Sequence, residues 1–203
     1  MRDVAIVILA AGMSQRLGRP KQVLPLAGEP LVAHVGKRAR NSKAARVMAV
    51  IGGAGKETSA ALDEIVDEII INHEYAEGQG TSIAAGVRYL QSTRHLLGAC
   101  EAILFLLADQ PGIDTSVINE VIETWEDGGR IVMARYTDRP GHPVLFDRAY
   151  WQELAELTGD QGGRDVIQNH PDDIRYVPVE FESPMDVDSE ADWRVLQEWW
   201  ARQ

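Results

Sequence analysis

Several features that would point to large function classes are scarce in this sequence. It has one cysteine, Cys100, so no internal disulfide can form and a reducing, cytoplasmic setting is the default expectation. Positive charge is short: 20 Lys and Arg stand against 31 Asp and Glu, for a formal net charge of −11. A surface that acidic repels nucleic acid and anionic membranes, and neither is expected as a partner. An anionic small molecule is still acceptable if a few focused cations meet it. No apolar stretch reaches the ~18 residues that span a bilayer. Residues 4–11 imitate the core of a signal peptide, but Asp3 spoils a basic start and a buried first strand is the better reading.

Common catalytic signatures are missing too. His34, His73, His95, His142 and His170 show no paired ligand spacing, which argues against zinc. Neither Ser14 nor Ser82 sits in Gly-x-Ser-x-Gly, so a hydrolase elbow is not expected. Gly52-Gly53-Ala54-Gly55-Lys56 follows an apolar run but completes neither a Rossmann nor a Walker pattern, and reads as a strand-to-helix turn.

What is present is an alternation of apolar runs and amphipathic stretches. Strands are predicted at residues 4–9, 47–51, 68–71, 102–107, 131–134 and 175–179. The first and fourth are continuously apolar, as strands covered on both faces must be. Val117, Ile118, Val121, Ile122 and Trp125 form a helical stripe after the Pro111-Gly112 break, with Asp114 placed to cap it. Leu62, Ile65, Val66 and Ile69 start another. Trp193, Leu196 and Trp200 mark a terminal helix opening near Ser189, and their spacing favours core packing. Strands alternating with helices imply right-handed βαβ units, with ligands at the carboxyl ends of the strands. The length of 203 residues fits one domain.

The loop after the first strand reads Leu9-Ala10-Ala11-Gly12-Met13-Ser14-Gln15-Arg16-Leu17-Gly18-Arg19-Pro20-Lys21. Small residues let a ligand approach the backbone, and Gly12 and Gly18 permit the positive φ that turns consecutive N–H groups toward an anion. Arg16, Arg19 and Lys21 concentrate three cations in an acidic chain, and triphosphate suits them. A solvated turn would share this composition. Further on, Asp109 ends the fourth strand, where its hard oxygens suit Mg²⁺ that also binds phosphates; an Asx turn before Pro111 would place an Asp there equally well.

The run from Leu9 resembles the Leu-Ala-Ala-Gly-x-Ser-x-Arg-x-Gly signature of the MobA/MocA-like nucleotidyltransferases, followed by Lys-x-Leu-Leu-Pro. Here Lys21-Gln22-Val23-Leu24-Pro25 departs only at Val23. In that family the loop wraps the triphosphate, which implies nucleotide contacts for Leu9, Ala10, Ala11, Gly12 and Ser14 and charge stabilisation by Arg16 and Lys21. Ala108-Asp109-Gln110-Pro111 matches the family's Ala-Asp-x-Pro element, whose Asp binds metal. Asn72 followed by Gly78, Gly80, Thr81 and Ser82 resembles its nucleobase-binding stretch, although capping of a helix would also explain Ser82.

The resemblance continues through the acceptor side. Gly141-His142-Pro143-Val144-Leu145-Phe146 resembles the family's Gly-x-Pro-x-x-Phe segment, and Gly159-Asp160-Gln161-Gly162-Gly163-Arg164 its Gly-Asp-x-Gly-x-Arg element. Acceptor contacts are implied for Gln110, Pro111, His142, Pro143, Asp160, Gly162 and Arg164, the last as an anion clamp. Asp186-Val187-Asp188-Ser189-Glu190 resembles Asp-x-Asp-Thr-Pro, with Ser189 and Glu190 departing from it. Either Asp186 or Asp188 joins Asp109 at the metal.

The implied fold is α/β: a single three-layer α/β/α sandwich on a Rossmann-like, mostly parallel sheet with one antiparallel member. Residues of about 1–112 are expected to hold nucleotide and about 113–203 the acceptor. Ala10-Ala11 points to the molybdenum cofactor cytidylyltransferase branch, because guanylyl enzymes show Leu-Ala-Gly-Gly. The implied reaction is Mg²⁺-dependent transfer of CMP from CTP to the molybdopterin phosphate, with a molybdoenzyme as eventual recipient. Another phosphorylated acceptor, GTP as donor, a non-catalytic cofactor-delivery module, and an oxidoreductase on a related fold stay open. The absent Gly-x-Gly-x-x-Gly counts against the last.

Overall fold

The computed structural model describes residues 3–14, 16–97, 100–160 and 162–202. Gln15 and Gln161, quoted above within motifs, lie outside the described residues, as does the side chain of His95. Along the chain run β1 (Asp3–Ala10), β2 (Pro25–Leu26), β3 (Glu29–Pro30), α1 (Leu31–Arg40), β4 (Arg46–Ile51), α2 (Gly55–Leu62), β5 (Glu68–Ile71) and α3 (Gln79–Leu97). Then come β6 (Cys100–Leu107), α4 (Thr115–Glu126), β7 (Ile131–Arg135), β8 (Pro140–Asp147), α5 (Trp151–Ala155), α6 (Arg164–Asn169), β9 (Ile174–Pro178) and α7 (Glu190–Trp200).

Seven strands form one sheet in the order β5-β4-β1-β6-β8-β7-β9. The β1 strand is parallel to β4 and β6, β4 to β5, and β7 to β9; β8 is antiparallel to both its neighbours. Alternation along β1 explains the layers. Val4, Ile6 and Ile8 pack with Val32 and Val35 of α1 and Ile118 and Trp125 of α4. Ala5, Val7 and Leu9 pack with Ile83 and Val87 of α3, Leu154 of α5 and Val166 of α6. Side chains of period two therefore bury both faces of the sheet, as continuous apolar runs require. Each large side chain so buried contributes roughly 1.5–3 kcal/mol, and truncating one such as Phe105 would cost about 3–5 kcal/mol.

A third apolar cluster fastens the region after β1 to the end of the chain. Leu17, Leu24, Leu26 and Leu31 meet Val187, Trp193 and Leu196. The α7 helix starts where the sequence placed it, at a capping box in which the Ser189 hydroxyl and the Asp192 carboxylate serve each other's backbone N–H. This cluster is why residues from opposite ends of the chain share a site.

The structure corrects some local expectations. The β8 strand was not among the predicted strands, and proline is usually confined to strand starts, edges and bulges. Pairing jumps from Met133–Val144 to Ala134–Gly141, so Pro143 lies in the irregular step and misses no ladder bond. Asp114 does stand at the N-cap of α4, but its carboxylate pairs with Arg38 and makes no cap bond. The helical stripe starting at Leu62 does not continue: α2 ends at Leu62, while Ile69 belongs to β5, in the strand predicted at 68–71. Gly18 takes a positive φ of 69°, whereas Gly12 does not; Ser14, at 52°, makes the second left-handed turn.

Candidate active site

The carboxyl ends of β1 and β6 open onto two adjoining cavities. One, of about 930 Å³, is bordered by Ala11, Gly12, Ser14, Lys21, Asp109 and Asp188. The other, of about 480 Å³, is bordered by Phe105, Met133, Tyr136, His142, Phe146 and Asp186. Leu9, Gln79, Leu107 and Arg164 line both.

Charge is concentrated on the larger cavity. Asp109 follows β6 by two residues, in a turn closed by the Gln110 N–H on the Leu107 carbonyl (3.2 Å). Lys21 Nζ donates to Asp109 Oδ2 at 2.5 Å and to Asp188 Oδ1 at 3.1 Å, and Arg16 reaches the other Asp188 oxygen at 3.2 Å. Lys21 is itself seated by its backbone N–H on the Ser14 hydroxyl, 3.0 Å away. Burial opposes the Lys21 ammonium, but the Asp109 and Asp188 carboxylates outweigh it and hold the lysine above its ordinary pKa. Burial pushes the Asp109 carboxyl up in spite of Lys21. A carboxylate still under-compensated by one ammonium gains from a divalent ion.

That arrangement bears on metal. Among the described residues no three His, Cys, Asp or Glu side chains are grouped to hold an ion. Asp109 and Asp188 nevertheless converge on one cationic atom, Lys21 Nζ. Two carboxylates completed by phosphate oxygens and water is the donor set of Mg²⁺ in nucleotide enzymes, so the residues fit.

The acidic pair 186/188 is divided. Asp186 accepts from Gln110 Nε2 at 2.6 Å and lies 3.5 Å from an Arg139 nitrogen, on the smaller cavity. Asp188 faces the larger one. Val187, fully buried between them, anchors the segment.

Other anticipated residues take bracing roles. Asn72 Nδ2 donates to the hydroxyls of Thr81 (2.9 Å) and Ser82 (3.0 Å), and its oxygen accepts from the Glu74 N–H at 2.9 Å. Thr81 in turn donates to the carbonyls of Glu74 and Gly78. Ser82 is inside α3 and does not cap it, because the helix begins at Gln79. Gly78 is required by a close approach: at its φ of 117° an added Cβ would fall 2.2 Å from the Gly159 carbonyl carbon. The Gly80 N–H bonds that same Gly159 carbonyl at 2.8 Å, so the two motif loops are locked together. Ala10, Asn72, Gly80 and Thr81 do not line the larger cavity, nor Pro111, Pro143 and Gly162 the smaller; Asp160, expected on the acceptor side, borders the larger cavity.

His142 has its Nδ1 3.1 Å from the Phe105 carbonyl, and burial lowers its pKa, keeping the ring neutral. Arg164 makes no ion pair among the described residues. The sequence reading missed Tyr75, Gln79, Tyr136 and Arg139. For Arg139 and Tyr136 the signal was available: they lie in the β7–β8 hairpin, which becomes visible once residues 140–147 are read as a strand.

Comparison with known proteins fits this geometry. The model of the MobA-like NTP transferase domain matches residues 6–174. The chain belongs to that family. Its fold is that of the nucleotidyltransferases, and among its relatives is the nicotine blue oxidoreductase of Paenarthrobacter nicotinovorans, 30% identical over 174 residues, 81% of each chain. Among solved structures, a homologue of Mycobacterium tuberculosis Rv0371c from Mycobacterium sp. strain JC1 superposes with a TM-score of 0.82 at 30% identity, covering 100% of this MobA-like chain and 99% of the other. Rv0371c of M. tuberculosis in complex with manganese gives 0.81 at 26% identity, over 97% and 98%. A divalent cation is thus bound within this group of relatives. No helix among the described residues is long and apolar enough to cross a membrane.

Proposed function

We propose that this MobA-like protein transfers CMP from CTP to the phosphate of molybdopterin, using Mg²⁺. The observation that carries the reading is the Asp109–Lys21–Asp188 cluster beside two adjoining cavities. In this reading the larger cavity takes the nucleotide and the smaller the acceptor. Residues of about 1–112 and 113–203 act as one unit, since Arg164 and Asp188 also border the nucleotide cavity and Leu9 and Phe105 the acceptor cavity.

An oxygen of the acceptor phosphate forms a bond to the α-phosphorus. The bond from that phosphorus to the bridging oxygen breaks, and pyrophosphate leaves with the electron pair. No side chain needs to act as nucleophile. Lys21 and Arg16 leave their carboxylates and neutralise charge on the phosphates, and Arg164 holds the acceptor's phosphate at the junction. Asp109 and Asp188 would hold Mg²⁺, which supplies charge neutralisation at the transferred phosphate. Met133, Phe105, Phe146 and Tyr136 give the acceptor cavity apolar and aromatic walls suited to a flat ring system.

The preference for CTP rests on Ala11, which borders the nucleotide cavity. A methyl there crowds a two-ring base more than a pyrimidine. The expected preference in kcat/KM is about 10–200-fold, the range of one lost or clashing contact. The test is pyrophosphate release with CTP and with GTP on molybdopterin, for wild type and Ala11→Gly. Equal efficiencies in wild type would remove the size argument. A second reading, an oxidoreductase on a related fold, is favoured by the 30% identity to the nicotine blue oxidoreductase. Loss of NAD(P)H absorbance without pyrophosphate release would select it.

A further inference from the structure

Tyr75 and the glycine pair Gly52-Gly53 are left unused by the account above. The glycines follow β4 and were read from sequence as a plain turn. In the structure they form a bed for one aromatic ring. A Cβ added to Gly52 would stand 2.7 Å from Tyr75 Cγ and 2.8 Å from the Ala11 carbonyl oxygen. A Cβ added to Gly53 would stand 2.9 Å from the Tyr75 hydroxyl and 3.0 Å from Cε2. The two ends of the ring thus each rest over a different glycine, and the ring lies along the Gly52–Gly53 backbone. Neither position tolerates a side chain unless Tyr75 moves.

Tyr75 is half-buried and also borders the larger cavity, as do Ala11, Gly12, Met13 and Ala76. The charged groups of that cavity are Arg16, Lys21, Asp109, Asp160, Arg164 and Asp188. Among the described residues its lining therefore offers cations and carboxylates for phosphate and metal, and one aromatic ring, that of Tyr75. A nucleoside triphosphate has the same division, between a charged tail and a flat heterocycle.

We propose that Tyr75 is the platform on which the nucleobase packs, and that Gly52 and Gly53 set its depth. This rests on the nucleotide-binding reading of the cavity. Every base has a π-face, so the platform supplies affinity for the base, while Ala11 governs its size.

The test is calorimetric binding to the full chain, with Mg²⁺, of CTP, GTP and inorganic tripolyphosphate. Tyr75→Ala should weaken the better-bound nucleotide by roughly ten-fold or more, the scale of a lost base–aromatic contact, and leave tripolyphosphate within about two-fold. Tyr75→Phe should bind both like wild type. Gly53→Ala should behave like Tyr75→Ala, because the added Cβ displaces the ring. If Tyr75→Ala keeps nucleotide affinity, or loses nucleotide and tripolyphosphate equally, the platform is wrong while the nucleotide site stands. If wild type binds none of the three, the nucleotide reading fails and takes this assignment with it.

Discussion

Lys21 Nζ lies 2.5 Å from Asp109 Oδ2, so the buried carboxylate at the end of β6 already has a cation on it. Lys21 also holds Asp188 at 3.1 Å, which makes it a stand-in counter-ion for both carboxylates. On the proposed reading a metal would displace it, and a triphosphate would give it somewhere to go. Lys21→Gln should therefore raise the Mn²⁺ affinity of the nucleotide-free protein while lowering turnover by on the order of 10²-fold. Paramagnetic resonance of free Mn²⁺ reads the first and pyrophosphate release the second. Unchanged or weaker Mn²⁺ binding would show that the lysine does not compete. The change also leaves Asp109 with less compensation, so some stability loss without metal is expected.

Asp186 and Asp188 are expected to separate in function. Asp188→Asn should weaken Mn²⁺ binding in the presence of nucleotide. Asp186→Asn should leave Mn²⁺ binding intact and raise KM for the acceptor, because Asp186 is engaged by Gln110 and Arg139 on the smaller cavity. The reverse pattern would assign the metal contact to Asp186.

Arg164 borders both cavities without an ion pair among the described residues. Removing a charge-assisted contact costs about 1.5–3 kcal/mol, or roughly 10–100-fold. Arg164→Ala should raise the acceptor KM by that factor with folding unchanged. An effect on KM for CTP alone would move the residue to the nucleotide.

Asp67 gives a stability prediction with a definite sign. Its carboxylate accepts from the Val47 N–H at 2.8 Å and from Arg40 at 2.6 Å. Burial opposes its charge, but those two donors prevail and hold its pKa below the usual carboxylate value. A depressed folded pKa means stabilisation present above the unfolded value of about 3.9 and lost as pH falls through the folded one. Asp67→Asn should lower Tm at neutral pH by about 2–4 °C per kcal/mol lost, with ~1 kcal/mol expected. The gap should close as the pH falls through the depressed folded pKa; a gap constant with pH would mean that charge is irrelevant there.

The layers were legible because β1 and β6 are apolar without interruption and the helices carry clear stripes. The strand β8 was hidden by Pro140 and Pro143, whose usual cost is avoided because Pro143 lies at an irregular step in the ladder and Pro140 is the first residue of the strand. The loop after β1 stood out because its cations lie in an acidic chain and its residues resemble a family signature; composition alone left a solvated turn open. Its internal pairing could not be read, because Asp188 reaches Arg16 and Lys21 only through the packing of Val187 and α7 on Leu17 and Leu24. The closeness of Gly52-Gly53 to Tyr75 was invisible for the same reason: local spacing says nothing about which ring a glycine receives.

The most direct test of the central claim follows the phosphorus. With CTP labelled at the α-phosphorus, molybdopterin and Mg²⁺, the label should move to the acceptor with one pyrophosphate released per transfer, and Asp109→Asn should abolish it. Label remaining in CTP or appearing in free CMP, with no labelled acceptor, would contradict nucleotidyl transfer to molybdopterin.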